Sequence, residues 1–207
     1  DFTVKVDAKI PNKFAGQKVF YRFAAEGVYS QIGTTFTLPE DVENFKLAVF
    51  SCSNYPAGYF NAYNSASKDK SIDMAIHLGD YLYEYKQGEY ATENSISLNR
   101  QPIPNKEIIT LSDYRQRHAQ YKSDMDLQKL HSTMPVLCAW DDHEITNDAW
   151  KNNAENHQLN EGSFSQRKRN AIKAYYEWMP VREPKISFNN WKRYKIGKLI
   201  DLSLIHI

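Results

Sequence analysis

The densest chemistry in the chain lies in residues 136–144. Val136-Leu137-Cys138-Ala139 is a short apolar run after Pro135, and Trp140-Asp141-Asp142-His143-Glu144 follows it directly. The apolar part has the length and composition of a buried strand. Four ionisable groups cannot sit inside such a strand, because taking unpaired charge out of water costs on the order of several kcal/mol per ion. They must lie just past its carboxyl end, where ligands bind in open α/β sheets. Two other stretches have the same grammar. Met74-Ala75-Ile76-His77-Leu78 leads into Gly79-Asp80-Tyr81-Leu82-Tyr83-Glu84, and Leu47-Ala48-Val49-Phe50 leads into Ser51-Cys52-Ser53. Three strand ends that deliver oxygen, nitrogen and sulfur donors point to a metal site.

Each candidate has a functional and a plain structural reading. Gly79 permits a tight turn and close backbone approach, which lets the short Asp80 carboxylate reach a shared centre. Tyr83 lies one turn on if the chain is helical there, so phenol and carboxylate can bind one cation; the plain reading is a core tyrosine and a helix-capping Asp. Asp141 and Asp142 are adjacent and cannot both face one centre from an extended backbone, so one is a ligand and the other caps or pairs. His143 is a ligand, a general acid or a phosphate donor. Cys52 is a soft ligand or a nucleophile, but no base for a nucleophile is visible near it or near Ser51 and Ser53. His77, inside its strand, reads as a bonded core histidine. Arg167-Lys168-Arg169 with Lys173 reads as a solvated helix face. Cys138 reads as a small buried hydrophobe, with a Cys52–Cys138 disulfide as the lesser option.

The elements that position these residues fall into two parts. Residues 1–39 read as β structure: 3–6 and 18–23 alternate, 33–37 is a third short strand, and Gly16, Gly27 and Gly33 punctuate. They are expected to be the last strands of a small β-sandwich domain. The acidic connector 39–44 is the expected boundary, with residues 40–207 as a second domain. There, apolar strands at 46–50, 74–78 and 135–139 alternate with helical patterns, the βαβ signature. Helices are expected at 57–70, at 111–132 (capped by Thr110 or Ser112) and at 163–179 (capped by Ser163 or Ser165, stopped by Pro180). A hairpin is expected over 192–205. The loop between Gln87 and Lys106 is of a length usually functional or mobile.

With 42% hydrophobic and 25% charged residues the composition is that of a globular protein. A formal net charge of +1 gives no support to a nucleic-acid-binding role. No apolar run approaches the roughly 18 residues of a transmembrane helix. The strand-like starts and ends of the chain lead us to expect a fragment truncated at both ends, so the missing signal peptide says nothing of location.

Ser51-Cys52-Ser53, HLGDYLYEY (77–85), the stretch 112–150 with its WDDHE, and AYYEWMPVR (174–182) occur in an order that resembles the PhoD-like alkaline phosphatases and phosphodiesterases, which are metallophosphoesterases. Residues 21–39 are similar to the end of the small N-terminal sandwich of that family. The resemblance implies an α/β, metallophosphoesterase-type layered sandwich, of which this chain is the first part, preceded by the β-sandwich remnant. It implies metal-dependent hydrolysis of phosphate monoesters or diesters and a secreted, periplasmic or cell-surface location. Residue by residue, Cys52, Asp80 and Tyr83 match ligands of a ferric ion, Asp80 also touching a second metal. Asp142 matches a ligand of Ca²⁺-type metals, with other divalent ions such as Zn²⁺ as substitutes, and His143 matches the histidine that faces the phosphate. Thiolate and phenolate favour an electron-poor metal and carboxylates suit Ca²⁺, so the chemistry of the donors agrees. The family's distal ligands fall beyond Ile207. The rival reading is a non-catalytic binding or scaffold protein stabilised by Ca²⁺.

Overall fold

The computed structural model describes residues 3–184 and 191–204. Its centre is a three-stranded parallel sheet of β5 (Leu47–Phe50), β6 (Met74–His77) and β7 (Val136–Cys138), in the order β5-β6-β7. Phe50 pairs with His77 and His77 with Cys138, so all three strands end at one level. All four residues of β6 are buried, as expected of a central parallel strand. Helix α1 (Asn61–Lys68) lies in the first crossover, and α2 (Leu111–Lys122) and α3 (Met125–Thr133) lie in the second. Helix α4 (Phe164–Trp178) packs on α2, and β8 (Lys192–Ile196) and β9 (Ile200–Leu204) form the expected hairpin. The core is rich in tyrosine: Tyr63, Tyr81, Tyr114, Tyr121 and Tyr175 are all buried.

The helices differ from expectation in instructive ways. The span 111–132 is two helices, because Asp124 accepts the N–H groups of Asp126 and Leu127 and so caps a new start. Arg100 pairs with Asp124 at 2.8 Å and lies 3.5 Å from the Tyr55 ring centroid, which ties the 87–106 loop to this break. Arg117, also buried, donates to the carbonyls of Ile103, Pro104 and Tyr83, so it ties the end of the loop to the segment that precedes it. Thr110 caps α2 in a reciprocal box with Asp113. At α4, Ser163 holds the cap position but its hydroxyl meets Ser165 instead of the backbone. The 57–70 region is helical only over Asn61–Lys68, after a 3-10 turn at Tyr55–Ala57.

Residues 3–6 form no strand, because alternation needs a partner strand to become one. Further on, β1 (Lys18–Tyr21) pairs with β4 (Gly33–Phe36), and β2 (Ala24–Ala25) with β3 (Val28–Tyr29). Phe20 and Phe23 stay exposed, and no second sheet packs over them among the described residues. The end of the hairpin expected over 192–205 lies outside the described residues. Arg167 is not on a solvated face. It is 1% exposed and bonds Glu107, Tyr114 and the Asn156 carbonyl.

Two buried histidines link the fold to pH. His118 is wholly buried against Trp178, its ring nitrogens have no hydrogen-bond partner, and burial lowers its pKa to about 3. Burial likewise lowers His77 to about 3. The unfolded chain takes up these protons near pH 6.5 and the fold does not. Their contribution to stability is therefore complete above about 6.5 and is lost as pH falls from there toward 3. At pH 5 each costs up to about 2 kcal/mol. We expect His118→Phe, which keeps a ring against Trp178, to flatten the fall in stability between pH 7 and 5; urea midpoints across that range will measure it, and an unchanged slope would show that His118 is not held neutral.

Candidate active site

The strand ladder continues past the strands. Leu78 N–H donates to the Phe50 carbonyl, Cys52 N–H to Gly79 and Ser53 N–H to Asp80 at 2.8 Å. On the other side Ala139 N–H donates to the His77 carbonyl. The turns after β6 and β7 then press together. A Cβ on Gly79, where φ is +126°, would lie 2.5 Å from the Asp141 nitrogen, so only glycine fits. Glu144 fastens this contact: its carboxylate accepts the N–H groups of Tyr81 (2.6 Å), Asp141 (2.6 Å) and Asp80 (3.1 Å). Burial raises its pKa to about 8 while the three donors pull it back.

Cys52 and Asp80 both adopt left-handed backbone, at φ +57° and +53°. Non-glycine residues rarely do so, and such strain collects at functional sites. Tyr83 is not on a helix; a non-helical run carries it back to the same place, held by Arg117 on its carbonyl. One oxygen of Asp80, Oδ2, accepts from the Cys52 thiol at 3.4 Å and from the Tyr83 hydroxyl at 3.2 Å. Its other oxygen, Oδ1, is buried without a hydrogen-bond partner. Donor atoms of Asp80, Asp142 and His143 lie within 4.8 Å of one another. The structure therefore brings together all five residues singled out from sequence: Cys52, Asp80, Tyr83, Asp142 and His143. Asp142 Oδ2 also accepts the Asp148 N–H, and its carbonyl accepts those of Ile145 and Thr146.

These residues suit a metal ion. An orphaned buried carboxylate oxygen calls for a positive partner. Burial pushes the Asp80 carboxyl up, and burial together with the Asp80 charge pushes the Tyr83 phenol far up. A cation reverses both effects by favouring carboxylate and phenolate. Thiol, phenol, carboxylates and imidazole form a mixed hard and soft donor set.

Two buried carboxylates carry more of the site than their positions suggested. Glu84, fully buried, accepts from His143 Nδ1 at 2.8 Å, from Thr146 Oγ1, from the Asn147 N–H and from Asn156 Nδ2. Burial opposes charge on His143, but the Glu84 bond and the charges of Glu84, Asp80 and Asp142 outweigh it and raise its pKa to about 8. The His143 ring lies 4.2 Å from that of Tyr83. The available signal for Glu84 was a single acid in an otherwise aromatic and apolar run.

Ser53 does have a histidine: its Oγ lies 2.8 Å from His77 Nε2. The Gly79 N–H donates to His77 Nδ1, so Nε2 carries the proton and cannot take one from Ser53. His77 is the bonded core histidine expected. Cys52 and Cys138 are both free thiols, so the disulfide option is closed.

The Glu144 contacts generate a graded expectation. Glu144→Gln keeps an acceptor for Asp80 and Asp141 and loses the bond to Tyr81, at a cost of about 1–3 kcal/mol. Glu144→Ala orphans three buried N–H groups and should cost about 3–5 kcal/mol. Denaturant midpoints of the two variants test this order; equal losses would show that the carboxylate does not fasten the turns.

The family model described as PhoD-like phosphatase matches residues 47–207. Alkaline phosphatase D of Bacillus subtilis (strain 168) is 41% identical over 182 residues, which cover 86% of this chain. A solved structure titled "Structure of PhoD" superposes with a TM-score of 0.79 at 36% identity over 90% of the chain. The chain spans 30% of the length of the first relative and 36% of the second. Sheet, helices and cluster all lie within the matched residues, and the chain belongs to the PhoD-like phosphatase family.

Proposed function

We propose that the protein containing this chain hydrolyses phosphate monoesters or diesters at the Asp80 cluster. The observation that carries the reading is the convergence of Cys52, Tyr83, Asp142 and His143 on Asp80, with a buried oxygen of Asp80 left for a cation. Cys52, Asp80 and Tyr83 would hold Fe³⁺, and Asp80 and Asp142 would hold Ca²⁺ or a substitute such as Zn²⁺. Bound there, the ions would neutralise phosphoryl oxygens and supply a water of lowered pKa.

The chain's own groups do the rest. Glu84 accepts the His143 Nδ1 proton, so the ring is held with Nε2 toward the site. His143, whose charged form the Glu84 bond favours, would bind a phosphate oxygen or protonate the departing alkoxide. Glu84 is a positioning residue. Thr146, Asn147 and Asn156 fix its carboxylate, and Arg167 holds Asn156 by its carbonyl. The same reading takes residues 1–39 as the end of a separate sandwich domain, which the exposed Phe20 and Phe23 support, and a secreted, periplasmic or cell-surface location.

The test uses the full-length protein, metal analysis and p-nitrophenyl phosphate. We expect turnover that chelation removes, and losses of roughly 100-fold or more in kcat for Asp80→Asn and His143→Ala. Glu84→Gln should lose about 10–100-fold, as other residues that orient site groups do. No turnover with iron and Ca²⁺ both bound would favour the Ca²⁺-stabilised scaffold instead. Tyr83 supplies a separate readout: a visible tyrosinate-to-iron absorption band is expected in iron-loaded protein and should vanish in Tyr83→Phe. A band that survives this change would remove Tyr83 from the ligand set.

A further inference from the structure

Four aromatic rings close a circle beside the Asp80 cluster. The ring centres of His143 and Tyr83 lie 4.2 Å apart, those of Tyr83 and Tyr90 5.9 Å, those of Tyr90 and Tyr85 5.5 Å, and those of Tyr85 and His143 5.8 Å. Tyr83 and His143 belong to the site already described. Tyr85 comes two places after Tyr83 in the same non-helical run. Tyr90 comes from the loop that follows, and it closes the circle by touching both tyrosines.

Tyr90 is 58% exposed, so burial does not hold it there. Its backbone does. The Thr92 hydroxyl accepts the Gly88 N–H at 2.9 Å and donates to the Glu89 carbonyl at 2.7 Å, which closes a tight turn around Tyr90. Ser95 Oγ donates to Gln87 Oε1 at 2.6 Å, and the Gln87 N–H donates to Asn105 Oδ1 at 3.1 Å. Thr92 and Ser95 are buried, so these bonds are shielded from water. Ala91 adopts left-handed backbone, φ +52°, which a non-glycine residue keeps only where its surroundings impose it. A buried polar turn thus sets a large ring on a site residue and not in the core.

The Tyr83 hydroxyl donates to Asp80 Oδ2 at 3.2 Å. That bond fixes the oxygen but not the ring plane, because the oxygen lies on the axis about which the ring turns. The torsion itself is soft. Flat neighbours must fix the plane, and Tyr83 has His143 with the planes 35° apart and Tyr90 with the planes 22° apart. We propose that Tyr90 is a positioning residue of the site, and that its stack on Tyr83 sets the plane of the Tyr83 ring. On the ferric reading of Tyr83, on which the use of this plane rests, the plane decides how the phenolate oxygen overlaps the metal. The contact itself does not depend on that reading. Ligands locked by their packing are what a preorganised site requires.

The experiment loads the full-length protein with iron and reads the tyrosinate-to-iron band. Tyr90→Phe keeps the ring and is expected to keep the band at its wild-type maximum. Tyr90→Leu keeps bulk without a flat face. It is expected to shift and broaden the band and to weaken iron binding by roughly tenfold, as loss of the groups that support a ligand does. A band unmoved in Tyr90→Leu would overturn the proposal, as would one moved equally by Tyr90→Phe. A second measurement needs no metal: NMR of ring-labelled tyrosine in metal-free full-length protein reads how fast the Tyr83 ring flips. We expect slow flipping in wild type and Tyr90→Phe, and flipping about two- to tenfold faster in Tyr90→Leu, the scale of one aromatic contact. Equal rates in all three would overturn the proposal, and fast flipping in wild type would do so even where Tyr90→Leu does not fold. Absence of the band from wild type, with flipping released by Tyr90→Leu, would sink the ferric reading and leave the stack's hold on Tyr83 standing.

Discussion

Crowded, buried carboxyl groups at the carboxyl edge of the sheet govern this structure. Asp80, Glu84, Asp142 and Glu144 all come within the space of two adjoining turns, with His143 as the ionisable base among them. Carboxylates this close and this buried repel one another and lose hydration, so each must find donors or a cation. The fold divides them. Glu144 is satisfied by backbone N–H groups, and Glu84 by His143, Thr146, Asn147 and Asn156. Asp80 is left with a buried unmatched oxygen at the point where Asp142 and His143 meet it. The satisfied pair builds the frame, and the unsatisfied one is where chemistry is possible.

The second crossover and the segments that follow β7 serve the same division. Buried Arg117 and Arg167 spend their guanidinium groups mainly on carbonyls and carboxylates of irregular segments, not on helix neighbours. Irregular backbone carries many unpaired polar groups, and an arginine with five donors can satisfy several at once. This is how the long 83–106 segment and the 142–162 segment hold fixed positions with little regular structure. Tyr83 and Glu84 are placed by the first, Asp142 and His143 by the second.

What could be read from sequence follows from the range of each interaction. The three buried strands were legible because an apolar run ending in ionisable residues has few other solutions. The meeting of Cys52, Asp80 and Asp142 followed, since parallel neighbours in register bring their carboxyl ends together. The tasks of Glu84 and Glu144 were not legible: apart from the Asp141 N–H, their partners lie about 60 to 70 residues away. Arg167 looked solvated because it begins a basic run, yet the phase of α4 turns it inward while Arg169 stays exposed. The break between α2 and α3 was hidden by continuous helical composition and decided by one capping side chain, Asp124. Alternation at 18–23 marked a strand that Lys18–Tyr21 forms with Gly33–Phe36, whereas the same pattern at 3–6 forms none, because alternation alone does not supply a pairing strand.

Gly79 sets a dimension as well as a turn. The 79–80 and 140–141 backbones touch with no side chain between them, and the groups of Asp80 and Asp142 hang from the two walls of that contact. The span across which the two acids face each other is thus fixed by the thickness of bare main chain. A single methyl group inserted there would widen the gauge without altering any donor atom. If a cation is held between Asp80 and Asp142, as proposed, the span it meets is set by a residue that binds nothing itself.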